Sequence, residues 1–75
     1  LLPQAMAAKA DVYITGDYKY HEFFDADQRI LICDIGHYES EVFTKDLLYH
    51  YLSGFFSNFA LCLSETNTNP IQYYV

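Results

Sequence analysis

Residues 29–41, RILICDIGHYESE, decide the fold of this chain, because an unbroken apolar run ends there in a cluster of polar side chains. The run at residues 29–35 lacks polar-apolar alternation, a pattern typical of a strand buried on both faces of a parallel sheet. Possible metal or proton ligands crowd the end of the run around a single glycine: Asp34, His37, Glu39 and Glu41. These side chains are either solvated charges at the start of a helix or the rim of an active site.

The remaining sequence predicts an alternation of helices and strands. Helices are predicted at residues 1–10, 17–28 and 37–57, and strands at residues 11–16, 29–35 and 59–65, followed by a polar turn and tail at 66–75. The long helix carries one apolar stripe at helical period, formed by Val42, Phe43, Leu47, Leu48, Tyr51, Leu52 and Phe55. The order βαβαβ implies an α/β fold, with a parallel sheet, right-handed crossovers and flanking helices.

Two polar junctions follow the first two predicted strands. Asp17 comes directly after the first strand, and Asp34 and His37 come at the end of the second. Ligands of open parallel sheets bind beyond the carboxyl ends of the strands. We therefore expect both junctions to meet at one edge of the sheet, where a binding site is more plausible than two separate solvated turns.

His37 and Glu41 are the candidate metal ligands. Residues four apart share one face of a helix, and an imidazole and a carboxylate together can ligate a divalent ion. Gly36 would allow the sharp turn between strand and helix. The spacing alone is weak evidence, since a surface hydrogen bond at a helix start has the same pattern.

Asp17 and His21, also four apart, are candidates for catalytic roles. Asp17 is equally well explained as the N-cap of the following helix. His21 is a substrate contact, a proton-transfer group or an ordinary surface histidine. The segment HEFFD is not a zinc-protease HExxH motif, because Asp25 stands where the second histidine is required. Serine-hydrolase, P-loop and dinucleotide-binding signatures are absent.

Composition excludes some classes of function. The chain has 75 residues, of which 52% are hydrophobic and 19% aromatic, and it begins without Met, so we expect one part of a larger domain. Ten acidic residues against four basic ones make nucleic-acid binding unlikely by electrostatics. No apolar run is long enough for a membrane span. Cys33 and Cys62 lie in apolar runs without metal-binding spacing, and we expect them reduced and buried on separate strands of a cytoplasmic protein.

Three segments together resemble a known family. They are ADVYITGDYKYHEFFDA at residues 10–26, DIGHYESE at 34–41 and ETNTNPIQYY at 65–74. In this order and spacing they look like the C-terminal part of the Nif-three-like dinuclear metal-centre family, some of whose members are named GTP cyclohydrolase type one, type two. The resemblance covers residues 1–75 almost completely, as a C-terminal portion of the family's domain.

The resemblance implies roles for the motif residues. The GHY-x-[ST]-E motif falls on His37 and Glu41, and it implies that they ligate a two-metal centre, with the glutamate bridging both ions. The TGD-x-K-Y-H motif implies that Asp17 and His21 lie near that centre or on the substrate side. The family's other ligands include an N-terminal histidine pair that this chain does not contain. Two divalent ions of Zn, Mn, Fe or Mg are implied for each full-length chain, in a protein expected to form homo-oligomers.

Three functions remain open on this basis. The first is a metal-dependent hydrolase, cyclohydrolase-like or phosphoesterase-like, acting on a small-molecule nucleotide or phosphoester. The second is a non-catalytic metal-binding interaction or scaffold protein, for which aromatic residues such as Tyr73 and Tyr74 would serve an interface. The third is a fragment with no activity of its own.

Overall fold

The computed structural model describes residues 1–75. Its elements, in chain order, are helix α1 (Leu2–Ala7), strand β1 (Val12–Thr15), a 3₁₀ helix (Tyr20–Ala26), strand β2 (Leu31–Asp34) and helices α2 (His37–Glu41) and α3 (Thr44–Phe55). The chain divides into two compact units, Leu1–Ser40 and Glu41–Val75. The predicted α/β class with a parallel sheet is confirmed.

The parallel sheet has two strands, and it organises the first unit. Strand β1 pairs with β2 in a register that sets Val12 beside Leu31 and Thr15 beside Asp34. The β-branched and aromatic residues of β1 favour this extended backbone. Because the strands are parallel and end together, both polar junctions lie at the same edge of the sheet, as the sequence predicts.

Short helices flank the strands of this unit. Helix α1 begins with Pro3 in its first turn, where proline removes no helical hydrogen bond. The 3₁₀ helix takes the place of the helix predicted at residues 17–28. Its N-cap is Lys19, whose N–H donates to Glu22 Oε2 at 2.8 Å. Asp17 is therefore not the N-cap, and that interpretation of Asp17 is wrong.

Burial in the first unit is slight. Only two apolar residues of the chain are buried, Leu2 and Ile30. The prediction that residues 29–35 form a strand buried on both faces is wrong in this respect, since Leu31 is 60% exposed. With only two strands, the sheet has no fully buried residue in either strand, so the apolar run of β2 stays partly in contact with solvent.

The long helix predicted at residues 37–57 is two helices. Helix α2 ends at Glu41, and α3 begins at Thr44 after Phe43, which has no side-chain cap. The β-branched Val42 lies in the break and Thr44 directly follows it, and β-branched residues have lower helix propensity than straight-chain residues.

The third predicted strand, at residues 59–65, does not form. A strand needs a partner for its N–H and C=O groups, and none pairs with this segment. Instead, Lys45 Nζ donates to the Ser64 carbonyl oxygen at 2.8 Å. The predicted polar turn is present as two successive Asx turns, in which Asn67 Oδ1 accepts from Asn69 N–H and Asn69 Oδ1 accepts from Ile71 N–H.

Both cysteines are free thiols, as predicted, but their predicted burial is wrong. Cys33 lies on β2 and is half-buried, whereas Cys62 is exposed and lies outside any strand. Cys62 is exposed because the strand predicted around it does not form. None of the helices has the length and apolar character that crossing a membrane requires.

We expect the chain to associate through its exposed apolar side chains. Large residues of α3 are open to solvent, namely Leu47, Leu48, Tyr51 and Phe55. Exposed apolar patches of this kind promote association. Light scattering should show a mass that rises with concentration, and Phe55→Lys should reduce the rise more than the matched control Ser53→Lys. A constant monomer mass for the wild-type chain would contradict this expectation.

Candidate functional site

The site is built on the carboxyl ends of the two strands. The backbone continues the sheet by one further hydrogen bond, in which Ile35 N–H donates to the Thr15 carbonyl oxygen at 2.8 Å. Beyond this bond, β1 is followed by the loop that leads to the 3₁₀ helix, and β2 is followed by the turn that leads to α2. The side chains at this edge therefore belong to two adjacent loops, which begin at the paired ends of β1 and β2.

Asp34 links these two loops through hydrogen bonds to its carboxylate. Its Oδ2 accepts a hydrogen bond from Tyr18 N–H at 3.1 Å, and its Oδ1 accepts one from Gly36 N–H at 2.9 Å. A carboxylate that accepts backbone N–H groups from both loops fixes their relative position. The sequence pattern marks Asp34 only as a possible metal or proton ligand. The available signal was the Asp-x-Gly pattern at a strand end, which is typical of an Asx turn.

Close packing between the loops requires two glycines. A Cβ atom on Gly16 would lie 2.7 Å from Ser40 Oγ and 3.2 Å from the Gly36 carbonyl oxygen, so the first loop approaches the start of α2 closely. Gly36 has φ of +84°, a left-handed backbone conformation that side chains other than hydrogen disfavour. The predicted sharp turn at Gly36 is confirmed.

Asp17 and His37 meet across the edge. Asp17 Oδ2 lies 3.7 Å from His37 Nδ1, and the two side chains are 78% and 66% exposed. This contact is within ion-pair range but longer than a hydrogen bond. The sequence paired Asp17 with His21 by spacing, whereas the structure pairs it with a histidine from the other loop.

His37 and Glu41 are the first and last residues of α2. Ser40 Oγ donates to the His37 carbonyl oxygen at 2.8 Å, which fastens the first turn of the helix. Both side chains are exposed. An imidazole nitrogen and a carboxylate oxygen suit Zn, Mn or Fe, so the chemistry of this donor pair fits a divalent ion. No group of three or more His, Cys, Asp or Glu side chains in the chain is placed to hold a metal ion.

His21 takes no part in the contacts among Asp17, His37 and Ser40. It sits on the exposed 3₁₀ helix, with its ring 5.2 Å from that of Tyr20 in an edge-on contact. It forms no ion pair with Asp17, which contacts His37 instead. Its proposed role on the substrate side stays a prediction.

A cleft of about 640 Å³ lies elsewhere in the first unit. It is lined by apolar residues of α1 and by aromatic and charged residues, among them Tyr13, Tyr18, Glu22, Asp25 and Arg29. Partial desolvation, and then the neighbouring Tyr13, Glu22 and Asp25, raise the pKa of the Tyr18 phenol above its usual value. Tyr18 therefore stays neutral and can donate a hydrogen bond at physiological pH. Neither Asp17 nor His37 lines this cleft.

Comparison with protein families agrees with the motifs. The family model described as Duf34/NIF3 (NGG1p interacting factor 3) matches residues 1–70. The chain belongs to the DUF34/NIF3 family. The resemblance inferred from the three sequence segments is thereby confirmed.

Individual relatives show the same relationship. The GTP cyclohydrolase 1 type 2 homolog of Staphylococcus epidermidis (strain ATCC 12228) is 40% identical over 68 residues, which make up 85% of this chain and 19% of that protein. The homolog of Campylobacter jejuni is 33% identical over 66 residues, or 87% of this chain and 26% of its own length. The chain spans about a fifth to a quarter of the length of these relatives.

A solved structure has the same fold. The crystal structure of Staphylococcus aureus protein SA1388 superposes with a TM-score of 0.81 at 36% identity, covering 96% of this chain and 25% of that chain. The arrangement of strands and helices described above is therefore shared with one segment, about a quarter, of that protein.

Removing the Asp34 carboxylate should loosen the edge of the sheet. We expect Asp34→Ala to lower the free energy of unfolding by about 1–2 kcal/mol, because two backbone N–H groups lose a charged acceptor. Asp11→Ala, also at an exposed position, is the control and should change stability by less than about 0.5 kcal/mol. Urea denaturation measures both, and equal effects would contradict the proposed role of Asp34.

Two glycine substitutions should have opposite effects on stability. Gly36→Ala should destabilise by about 1–2 kcal/mol, because alanine disfavours a left-handed backbone. Gly54→Ala, on α3 with no atom within 4 Å of the added Cβ, should stabilise by about 0.5–1 kcal/mol. Denaturation followed by circular dichroism tests both. A stabilising Gly36→Ala would show that the turn does not require positive φ.

Proposed function

We propose that this DUF34/NIF3 chain supplies His37 and Glu41 to a dinuclear divalent-metal site of a metal-dependent hydrolase of the cyclohydrolase or phosphoesterase class. The observation that carries the proposal is the position of α2, which begins with His37 and ends with Glu41 directly beyond the carboxyl end of β2. This is where ligands of parallel sheets bind.

The donor set supports part of a metal site. Residues four apart on a helix lie on one face, so His37 and Glu41 can serve a shared centre. This chain holds no group of three or more ligating side chains, so the proposed site would take its further ligands from elsewhere in a family-length protein. Divalent ions bound there would activate a water molecule and stabilise the oxygens of a phosphoryl or ring-opening substrate.

The substrate class follows from the relatives' name alone. Proteins named GTP cyclohydrolase 1 type 2 homolog suggest a purine nucleotide, and a phosphoester is the wider class. His21 and Asp17 are the chain's own candidates for roles near the metal centre or on the substrate side. We further propose a cytoplasmic homo-oligomer. The free thiols of Cys33 and Cys62 are compatible with that location.

A second candidate function is a non-catalytic metal-binding scaffold. It is favoured by the exposed aromatic residues of the C-terminal tail, Tyr73 and Tyr74. Exposed tyrosines are typical of interface anchors. Metal binding without metal-dependent turnover of nucleotides or phosphoesters would favour the scaffold over the hydrolase.

Metal analysis of single variants tests the ligand assignment. A family-length protein that contains this chain should bind about two divalent ions per chain, and His37→Ala and Glu41→Ala should each lower that content. His50→Ala, an exposed histidine on α3 outside the motif, is the matched control and should bind as wild type does.

Turnover measured on the same proteins separates the two functions. Hydrolysis of nucleotides or model phosphoesters should require added divalent ions and should fall at least about 100-fold in His37→Ala, the scale on which loss of a catalytic group acts. A double variant of His37 and Glu41 that keeps its full metal content would refute the proposal.

A further inference from the structure

Asp17 faces one particular nitrogen of the His37 ring, a detail that the sequence alone does not reveal. Asp17 Oδ2 faces Nδ1 of the imidazole, at 3.7 Å. The two residues belong to different loops, one after β1 and one after β2. We propose that Asp17 is a positioning residue for His37. Its carboxylate accepts a hydrogen bond from Nδ1–H, so that the lone pair of Nε2 is the one offered to a metal ion. This inference rests on the proposed metal site.

The chemistry of imidazole explains why such a partner matters. A neutral histidine has one N–H donor and one lone-pair acceptor, and the group that faces one nitrogen determines which tautomer predominates. Metal-ligating histidines almost always donate their other N–H to a carboxylate, a carbonyl group or water, which fixes the ring and raises its basicity. Asp17 stands on the Nδ1 side, so the tautomer it favours has its proton on Nδ1 and its lone pair on Nε2.

The backbone around Asp17 is held against the loop that carries His37. On one side of it, Gly16 packs so closely that an added Cβ would lie 3.2 Å from the Gly36 carbonyl oxygen. On the other side, Tyr18 N–H donates to Asp34 Oδ2 at 3.1 Å. The backbone of Asp17 is therefore held in place by both of its chain neighbours. A side-chain movement of about 0.5–1 Å brings 3.7 Å to the usual hydrogen-bond distance.

His37 is fastened independently of Asp17. Ser40 Oγ donates to the His37 carbonyl oxygen at 2.8 Å, and Ser40 N–H donates to the Gly36 carbonyl oxygen at 3.1 Å. The helix start thus stays in place when Asp17 is changed. The substitution Asp17→Ala consequently acts on the orientation and tautomer of the ring, while the position of the ring's backbone is kept.

The test combines metal affinity with the tautomer of His37. In a family-length protein titrated with Zn²⁺ or Mn²⁺ alone, Asp17→Ala should keep the number of bound ions but weaken their affinity about 10–100-fold. Asp17→Asn, which keeps an acceptor oxygen, should weaken it less. Asp11→Ala is the matched control and should bind as wild type does.

The tautomer is read in the metal-free protein by ¹⁵N–¹H correlation spectra of the imidazole. Neutral His37 should carry its proton on Nδ1 in the wild type and shift toward the Nε2–H form in Asp17→Ala. An unchanged tautomer and affinity in Asp17→Ala would overturn the inference. Complete loss of an ion in that variant would also overturn it, because Asp17 would then be a ligand itself.

The two proposals fail in different ways. If His37→Ala retains all of its metal, the metal site is wrongly assigned. If His37→Ala loses metal while Asp17→Ala matches the wild type in affinity and tautomer, only the positioning role is refuted. Circular dichroism of each variant shows whether it is folded, and Asp17→Asn provides the conservative comparison.

Discussion

Parallel pairing of β1 with β2 is the constraint on which the rest of the arrangement depends. Because Thr15 and Asp34 are neighbours in register, the chain leaves both strands at one edge of the sheet. The Asp34 carboxylate then accepts hydrogen bonds from both departing loops. Asp17 and His37 are distant in sequence, and it is this pairing that brings them close together in space.

The site combines tightly packed loop backbones with side chains that are exposed to solvent. Gly16 and Gly36 allow the loops to approach where larger side chains would clash or strain the backbone. The side chains proposed to bind metal remain open to solvent, so they are not stabilised by burial within this segment. On the proposal that His37 and Glu41 bind metal, the remaining ligands would come from outside these 75 residues, which match about a quarter of a solved relative.

Much of the first unit could be predicted from sequence, because its signals are local. Local backbone structure is specified by the β-branched and aromatic run Val12–Thr15, by the apolar run ending at Asp34 and by the glycine at 36. The convergence of the two loops then follows from the parallel pairing. The contact of Asp17 with His37 instead of His21 could not be read from spacing, since it depends on the register between strands.

The second unit shows where such signals are insufficient. Residues 59–65 have the composition of a strand but no partner to pair with, and composition cannot supply one. The apolar stripe at residues 42–55 has helical period, yet the helix breaks at Val42 and Phe43. The hydrophobic periodicity of a segment indicates which face of a helix is apolar. Whether the helix is unbroken depends on helix propensity and packing at single positions.

Anomalous diffraction from a metal-loaded family-length protein is the most direct test of the central claim, that His37 and Glu41 are ligands at this sheet edge. We predict an ion about 2.0–2.2 Å from His37 Nε2, with a Glu41 carboxylate oxygen at a similar distance. We also predict that Asp17 lies within hydrogen-bond distance of Nδ1. An ion bound through Nδ1, or a metal centre that touches neither His37 nor Glu41, would contradict these predictions.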